Sequence, residues 1–165
     1  MKHSRCQFLF VCCLVLSAGC GQKELPYPPD MPKIYPVTLT FTQEGKPLVG
    51  ASIALISPTG ENATWAPGGV TDVDGKAILR TRGQFKGAIA GKFKIAVTLT
   101  ESEGGDDGVS DSGVVIGPGT PFKLFSLVET QYRDIKTTPL EVEITPKGAS
   151  ETTFDVGKAV RLLMK

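Results

Sequence analysis

Apolar and polar residues alternate with period two in several short segments of this 165-residue chain. Such alternation is typical of β-strands with one buried face, because successive side chains of a strand point in opposite directions. No segment shows a long apolar stripe at helical spacing. Since a register shift of one residue reverses the faces, Ala77 and Leu79 can exchange roles with Ile78. The alternation predicts a buried set made of Val37, Leu39, Phe41, Ile53, Leu55, Ile78, Phe93, Ile95, Val97, Leu140, Val142 and Phe154.

Turn-forming sequences separate these segments. Residues 43–47 and the Asp-Gly pair within residues 72–76 favour tight turns. Residues 57–69 and 101–113 are polar and glycine-rich, so we expect loops there, with Trp65 covering the end of the domain. Roughly seven short strands over about 120 residues predict an all-β fold, a β-sandwich of immunoglobulin-like type over residues 37–165.

The first 19 residues have the pattern of a secretory signal. Lys2 and Arg5 precede the uncharged apolar run 8–16, and small residues then lead to Cys20. Nine apolar residues rise about 14 Å as a helix, against roughly 30 Å of bilayer hydrocarbon, so they are too short to span a membrane. The sequence Leu-Ser-Ala-Gly-Cys at residues 16–20 resembles the bacterial lipobox. The resemblance implies cleavage before Cys20 and acylation of that cysteine, with a plain secretory signal as the alternative.

Residues 20–36 are expected to connect the lipid to the domain. The enterobacterial sorting rule implies the outer membrane, because Gly21 rather than aspartate follows the cysteine. Five prolines lie in this stretch, and proline fixes φ and lacks a backbone donor, which predicts an extended tether. The alternative is an arm partly packed on the domain through Tyr27 and Ile34.

Composition excludes most catalytic chemistry. The net charge of +1 gives no electrostatic reason to expect a nucleic-acid partner. The only histidine is His3, and all four cysteines lie within the first 20 residues. The domain therefore lacks disulfides, Cys/His zinc sites and histidine-dependent nucleophile pairs. We expect no catalytic residue, metal or cofactor; the remaining enzyme alternative is a small hydrolase whose acids converge in a pocket with Arg80, Arg82 or Arg133.

Two acidic stretches are candidate cation sites. Asp72 and Asp74 stand as in the start of an EF-hand loop, but Gly83 occupies the twelfth position, where a bidentate glutamate is needed. Asp72 is therefore expected to accept hydrogen bonds within its own turn. A second acidic run is typical of a solvated loop, with calcium as the alternative. It comprises Glu101, Glu103, Asp106, Asp107 and Asp111.

Three stretches resemble carboxypeptidase regulatory-like, or transthyretin-like, domains. They are GKPLVGASI at residues 45–53, VTDVDGKA at 70–77 and AGKFKIAV at 90–97. With the lipobox, they resemble small lipoproteins of planctomycete-type bacteria. The resemblance implies a non-catalytic envelope module for support or protein interaction, with an envelope protein or a polysaccharide as partner. A carbohydrate-binding module is the alternative, and it requires an exposed Trp65 beside Tyr132 or Phe122.

Overall fold

The computed structural model describes residues 26–104 and 122–164. A single 3₁₀ turn, Ala63–Trp65, and one short helix, α1 at Thr130–Arg133, lie between strands in these ranges. Within the described ranges, no helix is long and apolar enough to cross a membrane. The strands are β1 (Ile34–Tyr35), β2 (Thr38–Gln43), β3 (Lys46–Pro47), β4 (Ser52–Ile56), β5 (Pro67–Val70), β6 (Lys76–Ile78), β7 (Arg80–Thr81), β8 (Phe85–Lys86), β9 (Ala88–Ile89), β10 (Gly91–Thr98), β11 (Thr100–Glu103), β12 (Lys123–Ser126), β13 (Glu141–Thr145), β14 (Gly148–Ala149), β15 (Thr153–Asp155) and β16 (Leu162–Leu163).

Two sheets form a β-sandwich, which confirms the all-β prediction. The larger sheet is antiparallel and has the strand order β14-β13-β10-β4-β5-β7-β8. In the second sheet, β2 has β15 on one side and β3 and β6 on the other. β15 runs parallel to β2, so a late strand lies beside an early one. A separate three-stranded sheet has the order β11-β12-β16.

One core of buried side chains lies between the two main sheets. In β10, Phe93 stands opposite Val142 of β13, and Ile95 stands opposite Leu55 of β4. Directly opposed residues share a face, so these side chains point into the same interior. The confirmed members of the predicted buried set are Val37, Leu39, Phe41, Ile53, Leu55, Phe93, Ile95, Val97, Val142 and Phe154.

Two members of the predicted buried set are wrong. Ile78 is 58% exposed, whereas Ala77 and Leu79 are fully buried. The register between β6 and β2 places Ala77 opposite the buried Leu39, and Ile78 therefore points to solvent. Leu140 is only partly buried, because it precedes β13 at an open side of the sandwich while its side chain packs against the core.

Two of the predicted loops are partly strands. Residues 57–69 end in β5, which begins at Pro67. A Cβ at Gly68 would lie 2.8 Å from the carbonyl oxygen of Ile53, so the glycines here allow a close strand approach rather than a loop. The glutamates at the start of 101–113 likewise belong to β11, which pairs with β12.

The described part of the expected tether packs on the sandwich. Strand β1 (Ile34–Tyr35) pairs antiparallel with β9 (Ala88–Ile89), and the ring of Tyr27 lies 5.2 Å from that of Phe85. The partly packed arm is thus the alternative that describes residues 26–36. Apolar contacts and the pairing of β1 with β9 hold this segment on the sandwich, although its prolines favour an extended tether.

Candidate functional site

The turn at Asp72 is held by its own side chain. The Oδ1 atom of Asp72 accepts the amide groups of Asp74 and Lys76, each at 2.9 Å. The Asp74 carboxylate faces the Lys76 ammonium at 3.4 Å. Over the residues that the structure describes, no three His, Cys, Asp or Glu side chains are grouped so as to hold a metal ion. The geometry at Asp72 and Asp74 is that of an Asx turn rather than of a calcium site.

Replacing Asp72 by alanine should lower the free energy of unfolding by about 1–2 kcal/mol, because two main-chain donors lose their acceptor. Asp72→Asn keeps a side-chain oxygen and is the matched control, with a smaller expected loss. Urea denaturation measures both values. A calcium-dependent rise in the melting temperature that Asp72→Asn abolishes would contradict the turn-holding role.

Trp65 covers one end of the sandwich. It is 7% exposed, belongs to the core, and is the last residue of the 3₁₀ turn. The guanidinium of Arg82 lies 5.4 Å from the centre of the Trp65 ring. Stacking on a sugar needs an open aromatic face, so the exposed Trp65 that the carbohydrate-binding alternative requires is absent from this structure. The interpretation of Trp65 as a cover agrees with its burial.

The other predicted site residues are not brought together. Arg80 donates a hydrogen bond to the carbonyl of Gln84 at 3.4 Å, and Arg82 lies over Trp65. Among residues 26–104 and 122–164, no ion pair joins Arg80, Arg82 or Arg133 to a carboxylate. Four predicted residues lie outside the described ranges and stay predictions: Cys20, Asp106, Asp107 and Asp111.

An ion-pair cluster on the third sheet was not predicted. Arg161, just before β16, donates through Nε to Glu101 at 2.9 Å and through Nη2 to Glu103 at 2.7 Å. Its guanidinium also lies 3.6 Å from the ring centre of Phe125 on β12. The alternating glutamates of β11 are visible in the sequence. Their partner is about sixty positions away along the chain, so no local pattern could reveal it.

The cluster changes the acid-base behaviour of its members. The hydrogen bond from Arg161 holds the pKa of Glu103 below its ordinary value, and the two glutamates raise the pKa of Arg161. A carboxyl whose folded-state pKa is depressed stabilises the fold above its unfolded pKa, and that contribution is lost as pH falls through the folded pKa. All three side chains are about half exposed, so salt screens the interaction.

In an NMR titration, Arg161→Gln should therefore return the pKa of Glu103 upward toward 4.5. Lys147→Gln, in the turn between β13 and β14, removes one positive charge elsewhere and serves as the control. An unchanged Glu103 pKa in the Arg161 variant would show that the contact is not maintained in solution.

A second polar junction joins the C-terminal part of the domain to β2. The side-chain amide of Gln43 donates to the carbonyls of Leu127 and Lys158, at 3.0 and 3.1 Å. Nearby, partial burial raises the pKa of Tyr132, and the carboxylates of Glu129 and Asp155 add to that shift. The contacts of Gln43 connect the chain after β12 and the chain before β16 to β2.

Two grooves open beside β13, and Glu141 contributes to the lining of both. Lys94, which approaches Glu141 at 3.8 Å, lines one of them, and neither groove has an arginine in its lining. The larger groove, of about 340 Å³, is lined by Pro139, Leu140, Glu141, Glu151, Thr153, Phe154 and Asp155. The other, of about 280 Å³, is lined by Pro58, Lys92, Phe93, Lys94, Glu141, Val142, Glu143 and Ser150.

Comparison with known proteins does not indicate a function, so the function has to be inferred from the residues of this chain. No family model, curated protein or solved structure matches the chain. The described residues offer exposed strand edges, open grooves and ion pairs at the surface. In their interior, every buried side-chain nitrogen and oxygen has a hydrogen-bond partner.

Proposed function

We propose that this chain is a lipid-anchored, non-catalytic module of the bacterial cell envelope that binds other envelope proteins. The observation that carries the proposal is the character of the interior. Four polar residues are buried, and their hydroxyls bond to the main chain: Thr71, Thr81, Ser126 and Thr138. Among the described residues, no buried side-chain nitrogen or oxygen lacks a partner. Such an interior supports the use of the domain as a scaffold.

The location of the residues with shifted pKa values also favours a scaffold over a catalyst. Active sites are typically built from titratable groups that a cavity and specific neighbours perturb together. Here the pKa shifts of Glu103 and Arg161 arise from the exposed ion pairs of Arg161 with Glu101 and Glu103, and the pKa shift of Tyr132 arises mainly from partial burial. None of these three residues lines either groove. The enzyme alternative thus finds little support in the geometry.

The motifs that resemble carboxypeptidase regulatory-like domains belong to the same proposal. Residues 45–53 run from the β2–β3 turn through β3 into β4, and residues 72–76 form the turn between β5 and β6. Residues 90–97 fall almost entirely in β10. A placement on two turns and a central strand supports a domain of that family, whose fold serves for support and display.

Lipid anchoring at Cys20 is tested by mass spectrometry of the mature protein. We expect residue 20 to be the N-terminus and to carry acyl chains, because several chains anchor firmly whereas one binds only marginally. Cys20→Ala should remove the modification, and Cys13→Ala, in the apolar run, should leave it intact. A free N-terminus at another position would contradict the anchor.

Partner binding is tested by crosslinking the native protein in its own envelope before detergent extraction. The proposal expects the same protein partner in independent preparations, and no retention of the purified protein on isolated envelope polysaccharide. Glycoside, ester and peptide substrates serve as the check on catalysis. Hydrolysis that Glu141→Gln abolishes would overturn the non-catalytic assignment.

A further inference from the structure

One side of the sandwich ends in the edge of β15, which no strand of the described residues pairs with on its outer side. Within the parallel pair, the amide of Thr40 donates to the carbonyl of Thr152 at 2.7 Å, and the amide of Val156 donates to Thr42 at 2.8 Å. Thr152, Phe154 and Val156 therefore direct their main-chain groups toward β2. The amide and carbonyl groups of Thr153 and Asp155 must then face away from it. No strand follows β15 in that direction within residues 26–104 and 122–164.

The facing strand, β13, is open at the same place. On the side of β10, the carbonyl oxygen of Leu140 accepts a hydrogen bond from the amide of Ile95 at 2.9 Å. On its other side, Glu143 exchanges hydrogen bonds with Ser150 at 2.8 and 3.0 Å. The alternation directs the main chain of Glu141 to the same side as that of Glu143. The pairing with β14 covers only Ile144 and Thr145, so Glu141 lies beyond it.

These two edges border the larger groove, which we name the β15 edge groove. Its polar lining consists of Glu141, Glu151, Thr153 and Asp155, and its apolar lining includes Leu140 and Phe154. Its ionisable side chains are three exposed carboxylates. The Asp155 carboxylate is kept in place by the Thr42 hydroxyl at 3.0 Å and the Gly157 amide at 2.8 Å.

The negative charge is spread along the strand and not gathered at a point. Glu151, Thr153 and Asp155 follow one another at a spacing of two residues. The described side chains contain no group of three ligands for a metal ion, so these carboxylates do not form a cation cage. Only Glu151 and Asp155 of these three residues are charged, so the carboxylates along the strand lie four residues apart. Side chains on one face of a strand recur with period two, so an extended segment with cationic side chains at alternate positions can place one of them opposite each carboxylate.

We propose that the β15 edge groove binds an extended segment of a partner protein that carries lysine or arginine at alternate positions. The segment adds as a strand beside β15. Its main chain bonds to Thr153 and Asp155, and its cationic side chains face Glu141 and Glu151. Residues 151–155 span roughly 13 Å, which accommodates about four or five residues of an added strand. This inference rests on the proposed function and names the site and the chemistry of the partner.

The test uses the full chain in detergent and two labelled, end-blocked octapeptides, one alternating lysine with valine and the other alternating glutamate with valine. Fluorescence anisotropy should show binding of the lysine peptide alone, weakening as salt is added. In NMR spectra, the amide signals of Thr153, Asp155 and Glu141 should shift on binding. Equal binding of the glutamate peptide, or shifts confined to another surface, would overturn the proposal.

Variants of the protein separate main-chain pairing from charge. Thr153→Pro removes the outward amide and leaves the bonds to β2, since proline is tolerated where its missing donor faces solvent. It should weaken binding about tenfold. Thr153→Val keeps the amide and is the matched control. Glu141→Gln and Glu151→Gln should each weaken binding about two- to fivefold at low salt, and Glu61→Gln, in the loop after β4, should have no effect.

Modified peptides test main-chain pairing without relying on the folding of the Thr153→Pro variant. Two modified forms of the lysine peptide carry N-methyl groups either on the lysine amides or on the valine amides, so each form has one blocked edge and the protein is untouched. The form whose blocked edge is the one that pairs with β15 should lose binding. Full binding of both forms would overturn the proposal, as would dimers of this chain that pair through β15. If the peptide fails but crosslinking still captures an envelope partner, this site is wrong and the proposed function stands; loss of both results rejects both.

Discussion

Replacing Phe41 by alanine is expected to lower the free energy of unfolding by about 3–5 kcal/mol, because a large buried ring is removed from a packed interior. Phe41 is fully buried, and its ring lies 5.5 Å from that of Phe154, the side chain opposite it on β15. The substitution therefore removes core contacts across the parallel pair. Urea denaturation followed through the fluorescence of Trp65, the only tryptophan, measures the loss.

Phe122→Ala is the matched control, since it removes the same atoms from a side chain that is 64% exposed. Its expected effect is within about 0.5 kcal/mol. If the two substitutions have similar effects, the assignment of Phe41 to the centre of the core is wrong. A large loss for Phe41 with a small one for Phe122 supports the packing described above.

Replacing Gly75 by alanine is expected to lower the free energy of unfolding by about 2–5 kcal/mol, from conformational strain and overpacking together. Gly75 has φ = +74°, a region that L-residues rarely adopt. A Cβ there would overlap the carbonyl oxygen of Phe41 and lie 3.2 Å from the amide nitrogen of Leu48. The turn between β5 and β6 would have to move away from β2.

Gly45→Ala separates the two causes. Gly45 also has φ = +74°, but a Cβ at that position meets nothing within 4 Å. Only the conformational cost remains, about 1–2 kcal/mol. Equal losses at both positions, again measured by urea denaturation, would mean that the close approach of Gly75 to Phe41 does not constrain the fold.

Prediction from the sequence succeeded where the determining interactions are local. Phe93, Ile95 and Val97 alternate in β10 with the smaller or polar residues Lys94, Ala96 and Thr98, and all three are buried. The turn at Asp72 likewise depends on residues no more than four positions apart. Alternation and turn chemistry are properties of a short stretch of chain, so a single sequence is enough to recognise them.

Prediction failed where a neighbouring strand decides the outcome. Ile78 fits an alternating pattern as well as its neighbours do, and only the pairing of Ala77 with Leu39 directs it to solvent. Gly68 lies in a polar, glycine-rich stretch that is typical of a loop. It belongs to a strand because the neighbouring strand, at Ile53, approaches it closely. In both cases the missing information is which strand lies alongside, and at what register.

The candidate sites show the same division more strongly. The acidic residues of the β15 edge groove are plain in the sequence, but nothing local shows that Glu141 and Thr153 face one groove. That arrangement follows from the parallel pairing of β15 with β2, which joins residues more than one hundred positions apart. The contact of Arg161 with Glu101 and Glu103 has the same long-range origin.

By itself, the sequence determined that this protein is built from short strands, which side chains of most strands are buried, and which turn Asp72 holds. The tertiary structure alone decided the register of β6, the pairing of β1 with β9, and the open edge beside β15. The physical reason is the range of the interactions. The alternation of faces is set by the geometry of each strand, whereas strand partners are chosen by the packing of the whole core.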